Sequence, residues 1–111
     1  MNGDELVRVL ATLSNPHRIR VIAALARERA YVSELARTLG ISRPLLQVHL
    51  RKLEAAGLVS ARTEVSEDGK AMKFYEVNAF AIELTPEVLE AAERTLSTPG
   101  EGPGDETKGS P

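Results

Sequence analysis

Apolar positions recur along this chain with two periods, and the switch between them lays out its elements. Within residues 4–13, Leu6, Val7, Leu10 and Leu13 fall on one side of a helix. Ser14-Asn15-Pro16 interrupts that helix and starts another. Asn15 is its N-cap and Pro16 takes the first turn, where a missing N–H costs nothing. This second helix is predicted to run to about Arg29 and to bury Ile19, Ile22, Ala23 and either Leu25 or Ala26. Tyr31-Val32 is too short for a helix and reads as a one-bridge strand. Residues 33–39 form a third helix, with Leu35, Ala36 and Leu39 on one face and Gly40 at its end. The fourth, residues 42–56, opens on Ser42 as a cap with Pro44 in the first turn, and closes near Gly57. Its buried stripe is Leu46, Leu50 and Leu53, spaced i, i+4, i+7.

The period then drops to two. Residues 58–65 and 70–77 flank Ser66-Glu67-Asp68-Gly69, and an Asp-Gly pair between alternating segments signals a hairpin. In its second strand Met72, Phe74 and Glu76 face one way, and Lys73, Tyr75 and Val77 the other. Phe74 and Tyr75 together imply that both faces are partly covered. Thr85-Pro86-Glu87 has the cap, proline and acidic first turn of a last helix, with Val88, Leu89, Ala92 and Leu96 as its stripe. The expected fold is mainly α with a small β-hairpin, in the order α-α-(β)-α-α-β-β-α. Residues 1–97 form its one domain. Residues 98–111, rich in glycine, proline and acid with no large apolar side chain, are expected to be a flexible tail.

A chain of 111 residues, 42% hydrophobic and only 4% aromatic, supports one modest aliphatic core. It has no cysteine, so disulfides and thiolate metal sites are excluded. Asp4, Glu5 and Arg8 do not fit a signal peptide, and no apolar run reaches the ~20 residues of a membrane span, so a cytoplasmic, membrane-free protein is expected. There is no glycine-rich phosphate loop, nucleophile–histidine pair or metal cluster to suggest an enzyme. The net charge of −2 hides an asymmetry: residues 15–62 carry +6 and residues 63–111 carry −7. A basic block on a weakly acidic chain is the footprint of a phosphate-facing surface.

That block contains the third and fourth helices, whose short glycine-bearing connection makes them a candidate helix-turn-helix. With the leucine stripe inward, the fourth helix turns Pro44, Gln47, Val48 and Arg51 outward, with Arg43 at its entry. Such a helix would enter the DNA major groove. There Arg43 and Arg51 suit guanine edges or phosphates, Gln47 adenine and Val48 a thymine methyl, while the Ser42 hydroxyl has a second use at a phosphate. Leu45 projects beside Lys52, either under the hairpin or towards thymine methyls. Arg62, Lys70 and Lys73 on the hairpin suit minor-groove or phosphate contact, against which Glu67 and Asp68 at the tip work. His49, on the flank of the stripe, is expected to pack rather than read bases, and His17 to lie at the surface. Arg18 and Arg20 are expected either at phosphates or in solvent.

LSNPHRIRVIAAL (13–25) followed by VSELARTLGISRPLLQVHLRKLEAAGLV (32–59) resembles the ArsR-type, arsenic-repressor-like winged helix-turn-helix regulators. The likeness runs from about Leu6 to Leu96. It rests on Leu13-Ser14-Asn15-Pro16, on Ser42-Arg43-Pro44, and on Lys52-Leu53 leading to Ala56-Gly57-Leu58-Val59. The resemblance implies a homodimer joined by the first and last helices, which binds a pseudo-palindromic operator and usually represses. Leu6, Leu10 and Leu13 with Val88, Leu89, Ala92 and Leu96 are then the dimerisation residues, more apolar surface than one small core needs. Metal-sensing members carry a cysteine pair where this chain has Tyr31 and Ser33, or histidines on the last helix, where Glu87, Glu90 and Glu93 stand alone. No metal or cofactor is therefore expected. A small-molecule or protein effector stays open. The alternative is a winged helix used as a protein-interaction module with little DNA specificity.

Overall fold

The structure, a computed structural model, describes residues 1–98. The elements follow in the order α1 (Gly3–Leu13), α2 (Pro16–Arg27), β1 (Ala30–Tyr31), α3 (Val32–Leu39), α4 (Arg43–Ala55), β2 (Val59–Val65), β3 (Ala71–Val77) and α5 (Pro86–Glu93). This is the order the sequence predicts. Two compact units emerge: Leu10–Ala81, and Met1–Val9 with the chain from Ile82 onward. The proposed tail lies outside the described residues, except for Thr98. Among the described residues no helix is long and apolar enough to cross a membrane.

Capping chemistry sets the helix starts in the larger unit. The Asn15 Oδ1 accepts from the backbone N–H of His17 at 2.8 Å and of Arg18 at 3.2 Å, fixing the start of α2 at Pro16. The Ser42 hydroxyl accepts from the Leu45 N–H at 3.2 Å, with Pro44 in the same first turn of α4. Between α3 and α4 the chain turns on Gly40, at φ +69°, a left-handed conformation in which a Cβ is strained. From there the N–H groups of Gly40 and Ile41 both return to the Ala36 carbonyl, at 2.8 and 3.2 Å.

The three leucines predicted for α4 are its anchor: Leu46, Leu50 and Leu53 have no solvent-exposed surface. They pack within a core shared with α2, α3 and the sheet. The sheet order is β1-β3-β2, antiparallel throughout, with Ala30 opposite Tyr75, Tyr31 opposite Phe74, and β2 paired with β3 from Val59–Val77 to Val65–Ala71. As the central strand, β3 is covered on both faces at Phe74 and Tyr75, while Ala71, Met72 and Lys73 are exposed. Phe74 and Tyr75 point to opposite sides and both are buried.

Several boundaries and faces differ from expectation. The short strand is Ala30–Tyr31, and Val32 already opens α3, its buried side chain part of that helix's stripe. Glu34 accepts from the Tyr31 N–H at 3.1 Å, which starts the helix a residue early. The second helix stops at Arg27 and buries Val21 and Leu25, whereas Ile19 is 55% exposed and Ala26 is exposed too. The core-facing side of α2 is set by α4 and β3, against which it packs.

In the smaller unit, the N–H of Gly3 donates to the Thr95 hydroxyl at 2.6 Å. The Asp4 carboxylate accepts from the Ser97 N–H at 3.0 Å and from the Ser97 hydroxyl. These bonds, the hydroxyl's foremost, hold the Asp4 carboxyl below the usual carboxylate range. Thr85 caps α5 as predicted, its hydroxyl accepting from the Val88 N–H at 3.0 Å. In α1 it is Leu6 and Val9 that are buried, and Val7 is exposed. No residue of α5 is buried.

Candidate nucleic-acid interface

The outer side of α4 is built by the same helix that carries the leucine anchor. Arg43, Pro44, Leu45, Val48, Arg51 and Lys52 are exposed there, Gln47 is half-buried, and Ser42 is exposed at the cap. Arg43, Arg51 and Lys52 have no ion-pair partner among the described residues. Three unpaired cations therefore frame one helical face. All the predicted groove-facing residues of α4 fall on it.

Behind that face, His49 is buried and packed, as its place on the flank of the stripe implies. Its Nδ1 accepts from Arg18 Nε at 3.1 Å, and its ring stacks on His17 at 5.4 Å between centroids. Arg18 also donates from Nη1 to the Thr12 carbonyl at 3.2 Å. Half-buried Arg18 is therefore not simply solvated: its bond to His49 ties α2 to α4. His17 is likewise half-buried by its stack and not a simple surface residue. The His49 Nε2 is buried without a hydrogen-bond partner among the described residues.

Burial foremost, then the charges of Arg18, His17 and Lys52, pushes the His49 imidazole below its ordinary value of 6.5. An imidazole that resists protonation in the fold, but not in the unfolded chain, makes the unfolded state bind more protons as pH falls. Its effect on stability is absent well above pH 6.5 and destabilising as pH drops through that value. The urea midpoint is expected to fall from pH 7 to pH 5. The His49→Asn variant, which keeps an acceptor for Arg18 but cannot titrate, is expected to show a shallower fall. Equal slopes for both proteins would remove His49 from the pH response.

On the hairpin the predicted basic residues are not equivalent. Arg62 forms an ion pair with Glu76 at 3.0 Å, while Lys70 and Lys73 are exposed, with the Lys73 ammonium 5.5 Å from the Tyr75 ring centroid. The Arg62 pair is solvent-facing, and exposed pairs contribute at most about 1 kcal/mol. At the tip, the Asp68 carboxylate accepts from the Ser66 hydroxyl and the Lys70 N–H. Those bonds, the hydroxyl's first, lower its pKa and keep the tip anionic. Arg29, which the sequence pattern did not single out, lies over the Phe74 ring at 4.1 Å and pairs with Glu64 at 3.6 Å. Its position one residue before β1 was the only available signal.

Of the seven predicted dimerisation residues, Leu6 is buried within the chain and so presents no surface. Leu10, Leu13, Val88 and Ala92 are half-buried, and Leu89 and Leu96 are exposed. Among the described residues no group of three or more His, Cys, Asp or Glu side chains is placed to hold a metal ion.

Residues 15–61, from the cap of α2 into β2, match the model of the bacterial regulatory protein, arsR family. An uncharacterized HTH-type transcriptional regulator of Methanocaldococcus jannaschii is 34% identical over 85 residues, spanning 77% of this chain and 88% of that protein. The chain is an ArsR-family regulator. A biofilm growth-associated repressor of Xylella fastidiosa is similar to this ArsR-family protein at 31% identity over 65 residues, covering 59% of this chain and 57% of the repressor. A solved homodimeric winged helix-turn-helix DNA-binding domain from Mycobacterium bovis superposes with a TM-score of 0.60 at 27% identity, over 67% of this chain and 64% of that one. In the ArsR-family chain the winged helix-turn-helix is α3, the Gly40 turn, α4 and the β2–β3 hairpin. Its relatives are regulators of transcription, not enzymes.

Proposed function

We propose that this protein is a homodimeric, sequence-specific repressor that places α4 in the major groove of a pseudo-palindromic operator. The observation that carries the reading is the face of α4 on which Arg43, Arg51 and Lys52 stand exposed and unpaired among the described residues, opposite a fully buried leucine stripe. Arg43 and Arg51 engage guanine edges or phosphates, Gln47 adenine, and Ser42 with Pro44 sets the entry of the helix. The wing adds phosphate contacts through Lys70, Lys73 and Arg62 once Arg62 exchanges Glu76 for phosphate, and Glu67 and Asp68 limit its share. In the smaller unit Leu89 and Leu96, with the half-buried Val88 and Ala92, supply surface for a second copy; in the larger unit Leu10 and Leu13 do so separately. The homodimeric Mycobacterium bovis domain and the Xylella fastidiosa repressor support dimerisation and repression.

Selection of bound duplexes from a random pool at near-physiological salt tests the reading. The expected result is an enriched inverted repeat with half-sites about one helical turn apart. A pool that stays flat refutes it. With the selected operator, Arg51→Ala is expected to cost about 1–3 kcal/mol of affinity. The affinity of the unaltered protein should fall steeply with salt, by about 0.9 log units per decade for each phosphate neutralised. A shallow salt slope argues against phosphate contact.

A further inference from the structure

Two side chains on the outer face of α4 are unsuited to phosphate. Leu45 is 40% exposed and Val48 38% exposed, three residues apart and so neighbours on one side of the helix. Exposed Pro44 lies beside Val48, and Arg43, Arg51 and Lys52 border the group. A single exposed apolar residue is ordinary on any protein. An apolar strip inside a frame of unpaired cations is a more particular surface, because its occupant must be anionic at the border and apolar at the centre. The major groove of DNA meets both demands. Phosphates line its edges, and its floor offers one apolar group, the C5 methyl of thymine.

We propose that Leu45 and Val48 read the methyl groups of thymines on neighbouring base pairs, so that each operator half-site depends on those methyls. The proposal rests on α4 entering the major groove as proposed above. The axial rise from Leu45 to Val48, about 4.5 Å for three helical residues, lies between one and two base-pair steps of about 3.4 Å. Arg43, Gln47 and Arg51 then supply the polar readout, and the two apolar side chains decide where thymine must stand.

Deoxyuridine provides the test, because it removes the methyl and leaves base pairing and the O4 acceptor in place. The selected operator is synthesised with each half-site thymine replaced in turn and titrated with the unaltered protein. Replacement at two neighbouring base pairs is expected to weaken binding about fourfold each, the worth of one buried carbon group, with no change at other thymines. Leu45→Ala and Val48→Ala, folded as judged by circular dichroism, should each bind the thymine operator more weakly and lose the deoxyuridine effect at one position. Equal affinity for the fully deoxyuridine-substituted operator overturns the proposal while leaving groove reading by α4 intact, as does a selected half-site without thymine. A pool with no enrichment overturns both.

Discussion

Replacing Leu50 by alanine is expected to lower the unfolding free energy by about 2–5 kcal/mol. Leu50 has no exposed surface and lies between Leu46 and Leu53, both equally buried, so truncation leaves a void that neighbours on three sides must collapse to fill. A domain of this size has about 5–15 kcal/mol in total, so the change consumes a large share of its stability. Urea denaturation followed by far-UV circular dichroism measures it. Leu45→Ala on the outer side of the same helix should move the midpoint far less, because surface changes fall within about 0.5 kcal/mol. Similar losses for the two variants would mean that α4 does not sit with its leucine stripe inward.

The second large effect comes from Gly3→Ala. At most helix positions this exchange gains up to about 1 kcal/mol, since alanine restricts the unfolded chain and favours the helix. At Gly3 a Cβ would stand 2.2 Å from the Ala92 carbonyl oxygen and 2.9 Å from Leu96 Cδ2. The leucine can rotate aside, but the carbonyl belongs to the α5 backbone. Relief requires α1 and α5 to separate, which also stretches the Gly3–Thr95 hydrogen bond of 2.6 Å. Overpacking of this kind costs about 1–3 kcal/mol, so the expected sign is destabilising. Amide exchange should quicken through residues 86–93 while α4 stays protected. A stabilised variant would show that α1 and α5 do not meet at Gly3.

The elements that sequence reasoning placed well are those marked by unambiguous chemistry. Asn15-Pro16, Ser42-Arg43-Pro44 and Thr85-Pro86 each specify a cap and a first turn, and all three helices start there. Leu46, Leu50 and Leu53 recur along α4 at i, i+4 and i+7, which marks its inward side. Helix α2 was harder, because Ile19, Ala23 and Ala26 make one apolar arc and Val21, Ile22 and Leu25 another. The fold buries Val21 and Leu25 because that side meets α4 and β3, and this choice is tertiary. The pairing of Arg62 with Glu76 depends on strand register, and the bond from Arg18 to His49 spans 31 residues of chain. Neither leaves a local pattern. Gly3 reads in sequence as an ordinary N-terminal glycine, and its role depends on residues more than 85 positions away.

The opposition of leucines and arginines on α4 bears on how such a regulator changes its targets. Leu46, Leu50 and Leu53 hold the helix, while Val48 and Arg51, interleaved with them, are exposed and Gln47 is only half-buried, so these three carry little of that burden. Mutations at 47, 48 and 51 can then accumulate at a small cost to the fold, so a duplicated copy has room to drift towards a new operator while remaining a folded protein. A library randomised at those three positions should stay mostly folded, and its members should differ in the DNA they choose.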